Sequence, residues 1–192
     1  IHSVHNAVSG HWGIAQRCVR SSTAIAAGRH TFAAGLLEAA TQAACSGEPV
    51  LLVAYQTAPL GATAQLTGTE GRIAVALVLE PMTVAATAAF VDKGVSRAPL
   101  AVMCWRVVER VQLPVVQVEQ APSTLARVPA ELARNHLHDA LVWLEALARA
   151  DATPAPVLAL PLAAVPEGTA QRPAARAVLH LELGVECGGR RT

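Results

Sequence analysis

The run TFAAGLLEAATQAACS lies between a small-residue corner, Ala26-Ala27-Gly28, and a Gly47-Glu48-Pro49 break, and it constrains the fold more than any other stretch. Ala and Leu are the strongest helix formers, so the run predicts a long helix, and the glycine and proline after it predict its end. The apolar residues Val50–Tyr55 that follow read as a strand, and Thr23–Ala26 ahead of the corner reads as a short one. His5–Ile14, which contains Asn6 and two glycines, reads as a turn followed by a helix. A residue at the corner would then stand at a helix N-terminus, where unpaired N–H groups and the positive end of the dipole face whatever binds there.

A chain of 192 residues suits one domain spanning 1–192, and because it starts at Ile1, an upstream segment is expected. Hydrophobic residues make up 53% and charged residues 15%, which excludes a disordered chain; with only 3% aromatics, Ala, Val and Leu must build the core. A net charge of +1 with scattered arginines gives nucleic acid nothing to bind. The four cysteines, Cys18, Cys45, Cys104 and Cys187, form no Cys-x-x-Cys or Cys/His cluster, so neither a zinc site nor a disulfide scaffold is predicted. No run is long and apolar enough to span a membrane, and no basic-then-apolar leader stands at the start, so the chain reads as a cytoplasmic protein with reduced thiols.

Downstream, Gln56–Arg72 reads as a loop and Ile73–Glu80 as a strand buried on both faces. Three core strands with a helical crossover predict parallel neighbours. Periodicity leaves Thr83–Val91 open between strand and helix. Leu100–Val108 and Val115–Glu119 read as a hairpin, and Pro156–Leu162 and Val178–Leu183 as two further strands. Between them ELARNHLHDALVWLEALARA predicts an amphipathic helix over 130–150, with Leu137, Leu141, Leu144 and Ala148 on one stripe and Leu147 beside it.

The segments VHNAVSGHWGIA, STAIAAG, TFAAGLLEA and GEPVLLVAY together resemble the N-terminal portion of the beta-ketoacyl synthases. The resemblance is closest to the stand-alone synthase-like proteins of aryl-polyene and xanthomonadin-type pigment gene clusters. It implies half of a thiolase-like α/β fold, a mostly parallel sheet flanked by helices. It also implies that the corner, Ala26, Ala27 or Gly28, is where the family carries the cysteine that accepts an acyl group from acyl carrier protein. No cysteine is there, and neither Cys18 nor Cys45 can be moved into the corner without breaking the register of the flanking segments. The family's two histidines from its second half have no match in this chain either.

Candidate site residues follow from position. His30 and Thr31 are the first polar side chains after the corner; they either hydrogen-bond a ligand carbonyl, or Thr31 caps the helix while His30 faces solvent. By resemblance His5, Asn6, Ala7, Gly10, His11, Ala34 and Gly35 are interface residues near a dimer contact. His136 and Asp139, with His138 between them, would share a face of the predicted helix, an ordinary polar face or two ligands of a metal with no third in view. Ser21-Ser22 has no Gly-x-Ser-x-Gly context, so a hydrolase elbow is not predicted.

The reading that results is a non-catalytic, chain-length-factor-like partner in fatty-acid- or polyketide-type or pigment biosynthesis. It would pair with a ketosynthase or with a second copy as a homodimer, with acyl carrier protein as a further candidate partner, and it needs no cofactor and no metal. Two other readings stand beside it. One is an enzyme of acyl thioesters that uses the helix N-terminus after Gly28 as an oxyanion hole and His30 as base; the other is a structural interaction protein.

Overall fold

The computed structural model describes residues 6–59, 61, 68–81, 102–110, 132, 134–148, 157–162 and 176–184. In order these residues give α1 (Ala7–Gln16), a 3-10 turn (Gly28–His30), α2 (Thr31–Ser46), β1 (Val50–Gln56), β2 (Ile73–Leu79), β3 (Val102–Arg110), α3 (His138–Leu147), β4 (Val157–Pro161) and β5 (Arg176–Gly184). His5, Thr83–Val91, Val115–Glu119 and Cys187 lie outside the described residues.

The long Ala/Leu helix forms as α2. It ends where Gly47 takes a left-handed backbone, φ 69°, and donates its N–H to the carbonyl of Ala43 at 3.0 Å. Phe32, Ala33, Gly35, Leu36, Ala39, Ala40 and Ala43 form its buried face. That face packs on β1 and β2, where Ala54, Ile73 and Val75 are buried and Leu52, Leu77 and Leu79 partly so. Gly35 faces β1, where a Cβ would touch Leu52 Cδ1 at 3.4 Å.

Thr23–Ala26 is not a strand; residues 21–27 form neither helix nor ladder. Only Thr23 and Ile25 favour β structure there, and alanine is depleted in strands, so nothing local holds the segment extended without a neighbour. The predicted parallel order goes with it. Lacking an upstream strand to cross from, α2 connects to none, and β1 finds its neighbour downstream through residues 57–72. β1 and β2 pair antiparallel, from Val50 opposite Leu79 to Gln56 opposite Ile73. β2 is also not buried on both faces: Ala74, Ala76 and Val78 point outward and are exposed.

The remaining strands form a second sheet, ordered β3-β5-β4 and antiparallel at each pairing. Every described ladder is therefore antiparallel.

The predicted helix over 130–150 is interrupted: Leu132 is helical, residues 134–137 form turns, helix resumes over His138–Leu147, and 130, 131, 133, 149 and 150 lie outside the described residues. Asn135, 3% exposed, accepts a hydrogen bond on Oδ1 from the N–H of Leu137 at 2.9 Å, a local turn that competes with helix. Its Nδ2 donates to the carbonyl of Glu70 at 2.8 Å, so the same side chain ties this turn to the loop before β2. α3 thus starts at His138, and its buried face runs through Ala140, Trp143 and Ala146, with Leu137 buried just ahead of it. Leu141 and Leu144 of the predicted stripe, and Leu147 beside it, are partly buried at its margin. Leu160 of β4 joins the same cluster. Phe32 and Trp143 meet edge to face with ring centroids 6.1 Å apart, which locks α2 to α3.

Candidate functional site

The corner forms where the sequence places it. Gly28 has φ 56°, a backbone that a residue with a Cβ adopts only with strain. From it the chain makes a single 3-10 turn, in which His30 donates its N–H to the carbonyl of Ala27 at 3.0 Å. Ala26 and Gly28 are exposed and Ala27 is half-buried. Thr31 does not cap α2. It is the first helical residue, and its hydroxyl closes the corner, accepting from the N–H of Ala27 at 2.9 Å and donating to the carbonyl of Gly28 at 2.7 Å. The hydroxyl is thus committed to backbone. The residue in the cap position is His30, whose side chain makes no cap bond.

Nor does His30 face solvent. It is half-buried, and its Nδ1 is a buried atom with no hydrogen-bond partner. α3 opens on His138 and carries Asp139 in its first turn. Burial pushes the Asp139 carboxyl above the ordinary carboxylate range, while the nearby imidazoles of His138 and His30 pull it back down. His138 Nδ1 and Trp143 Nε1 are likewise buried without a hydrogen-bond partner. His30, His138 and Asp139 thus come together at the first turns of two helices.

Sequence spacing had joined His136 to Asp139 instead, but His136 lies in the turn before α3, outside the helix that would have put the two on one face. Among the described residues no three His, Cys, Asp or Glu side chains are arranged to hold a metal ion. The meeting of His30 with Asp139 depends on tertiary packing that no spacing rule reports. The available signal was the scarcity of large rings: Phe32 and Trp143 each sit close in sequence to one of the ionisable groups, and two rings in a small-residue core tend to find each other.

The other candidates occupy different ground. In α1 there is no buried residue; Asn6 precedes it, Ala7 and Gly10 are on it, and His11 is exposed. The helix ends at Arg17 with φ 52°, where the N–H of Cys18 reaches back to the carbonyl of Gly13 at 2.8 Å. Val8, Trp12 and Ile14 are exposed along it. Ala34 is half-buried on α2, and Gly35 is turned to β1 within the chain. An open hollow of about 210 Å³ beside α1 is lined by Trp12, Ile14, Cys18, Arg20 and Ser21-Ser22, with no acid or imidazole in its wall.

Cys18 is half-buried in that wall, ahead of the corner, and Cys45 is exposed at the far end of α2. The helical rise puts Cys45 about 20 Å along the axis from Thr31. Among the described residues neither cysteine thiol stands at the corner, and the Thr31 hydroxyl there is bonded to backbone. The corner thus offers backbone N–H groups at the start of a helix, with the side chains of His30, His138 and Asp139 nearby.

A family profile described as beta-ketoacyl synthase, N-terminal domain, matches residues 2–152. The match covers well over half of the chain, and the chain belongs to the beta-ketoacyl synthase family. Membership brings with it a thiolase-like α/β class and a role in fatty-acid- or polyketide-type biosynthesis. Comparison with curated proteins and with solved structures finds no match. No helix among the described residues is long and apolar enough to cross a membrane.

Proposed function

We propose that this member of the beta-ketoacyl synthase family is a non-catalytic partner, resembling a chain-length factor, that pairs with a ketosynthase or with a second copy of itself and helps bound an acyl tunnel. Aryl-polyene-type pigment synthesis is the pathway class that its sequence resembles most. The observation that carries the reading is the corner itself: Ala26, Ala27 and Gly28 offer no nucleophile, and both described cysteine thiols lie elsewhere. The apolar, exposed residues of α1 support pairing, since such a surface on a folded chain usually marks a contact with a partner. Asn6, Ala7, Gly10, His11 and Ala34 are the residues we assign to that contact, with His5 beside them in sequence, and Gly35 supports it from inside through the α2–β1 packing.

The alternative is acyl-thioester chemistry with His30 as base. One observation favours it: Asp139 and His138 gather beside His30, the arrangement expected of a group that moves protons.

One experiment separates the two. The chain is co-expressed with a ketosynthase from the same gene cluster, purified by a tag on this chain, and assayed with an acyl carrier protein thioester. A stable complex whose turnover survives His30→Ala in this chain supports the partner reading. Turnover by this chain alone, abolished by His30→Ala, overturns it, as does a monomer that binds neither ketosynthase nor carrier protein.

A further inference from the structure

The β1–β2 sheet has two apolar faces, and α2 covers one of them. On the other, Leu51, Val53 and Tyr55 of β1 and Ala74, Ala76 and Val78 of β2 are exposed, and the four larger side chains keep about half of their surface or more. An antiparallel sheet with one face in water ordinarily alternates apolar-in with polar-out. Here the outward positions of both strands carry no charge and no amide, and the Tyr55 hydroxyl is their one polar side-chain group. Such a sheet is built to be covered on both sides.

The register gives this face a centre and two unlike ends. Leu51 lies opposite Val78, Val53 opposite Ala76 and Tyr55 opposite Ala74, so Val53 and Ala76 stand in the middle. Along β2 the alternation continues past the strand to Arg72 at one end and Glu80 at the other, both exposed. Their charged neighbours are already paired, Glu70 with Arg134 and Glu48 with Arg20, and no ion pair among the described residues includes Arg72 or Glu80. At the strand rise of about 3.3 Å per residue the two are about 26 Å apart and cannot reach each other. A partner of one sign would match one end and oppose the other. A partner with the same two charges in reverse order matches both.

We propose that this outer face is a self-association surface, on which a second copy of the chain packs face to face with its strands reversed. A two-fold axis running across the strands at Val53 and Ala76 brings Arg72 of each copy over Glu80 of the other. The same axis sets Leu51 over Tyr55, Val78 over the smaller Ala74, and Val53 over its own counterpart. Aligned sheets pack about 10 Å apart with strands within about 30° of each other, a gap that arginine and glutamate side chains span at the rim. Two strands of seven residues make a face about 23 Å long, short of the roughly 800 Å² per partner of a standard interface. The association is therefore reversible, with a dissociation constant in the micromolar range or weaker. It uses no part of α1 and is separate from the pairing assigned to that helix.

The test is sedimentation velocity on the full chain from about 1 to about 200 μM at low salt, where exposed charges act most strongly. The natural chain is expected to shift reversibly from monomer to dimer. Val53→Lys sets two like charges against each other at the axis and should leave only monomer, its fold unchanged by circular dichroism. Arg72→Glu and Glu80→Arg should each weaken the dimer by about tenfold, and the two together should restore it to within about twofold, because the reversed charges match again. Trp12→Ser should leave it unchanged. A chain that is monomeric at every concentration has this face covered from elsewhere and overturns the proposal. So does a double reversal no tighter than the single ones, or a Val53→Lys chain that still dimerises. Where Val53→Lys does not fold, the charge reversals, which leave the apolar face intact, decide alone. A dimer lost in Trp12→Ser but kept in Val53→Lys belongs to α1, which sustains the earlier reading and overturns this one.

Discussion

α1 and α2 are both short of charge and rich in small residues, yet they have opposite fates. α2 buries seven residues on β1, β2 and α3, whereas α1 buries none and leaves Trp12 50% and Ile14 79% exposed. Composition does not separate them, since neither helix has an acidic first turn or a basic last turn. What separates them is supply. A break at Gly47–Pro49 turns the chain straight back from α2 into β1, so an apolar sheet is delivered to its face, while α1 is followed by residues 18–27, which form no element to cover it. Most helix stability comes from packing an apolar face, so α2 belongs to the core of the fold and α1 is a surface.

The largest expected effect tests the buried side. Leu36 is fully buried among α2, β1 and β2. Leu36→Ala should cost about 3 kcal/mol, from lost transfer energy plus the cavity left behind, read as a lowered midpoint of urea unfolding. A loss under about 1 kcal/mol would mean that the α2 face collapses without consequence and that the two helices differ less than their exposures indicate.

A smaller effect is expected at the start of α2. Thr31→Val keeps the shape of the side chain but removes the hydroxyl that takes the N–H of Ala27 and gives to the carbonyl of Gly28. The corner is partly exposed, so water replaces some of what is lost. The cost should be about 1 kcal/mol in the same unfolding measurement, with faster hydrogen exchange at residues 27–31. An unchanged exchange rate would show that Gly28 and the 3-10 turn hold the corner unaided.

How far these features were legible depends on whether local chemistry or tertiary supply decides them. The strand predicted over Val50–Tyr55 forms as Val50–Gln56 and the one over Ile73–Glu80 as Ile73–Leu79, because β-branched and large apolar residues bounded by proline and glycine leave few alternatives. The corner was legible for the same reason: the left-handed backbone at Gly28 is one that glycine adopts without strain. The direction of the sheet was not, because it depends on which strand stands beside β1. Thr23–Ala26 has too many alanines to compete for that place, and β2 takes it. The interruption of the helix over 130–150 was missed because Asn135 can serve either as a helical residue or as the pivot of a turn, and its contact with Glu70 settles the choice. The nearness of His30 to Asp139 was out of reach for a related reason: the two share no periodicity, and their helices are joined by the ring contact of Phe32 with Trp143.

The smallest effect on stability is expected where the effect on assembly is greatest. Trp12 makes up a large part of the exposed apolar surface of α1, and nothing in the core leans on it. Trp12→Ser should therefore shift the unfolding free energy of the isolated chain by less than about 0.5 kcal/mol, as surface substitutions generally do. If α1 is the contact with a ketosynthase or a second copy, the same change removes an aromatic anchor. Anchors of that kind are worth about 2 kcal/mol or more, so affinity should fall by roughly 30-fold, measured by titration calorimetry or by loss of co-purification. The two readouts move independently, which is what gives the comparison its force. Unfolding weakened by more than about 1 kcal/mol would mean that α1 is packed after all, whereas unchanged affinity would return it to the status of an ordinary exposed helix.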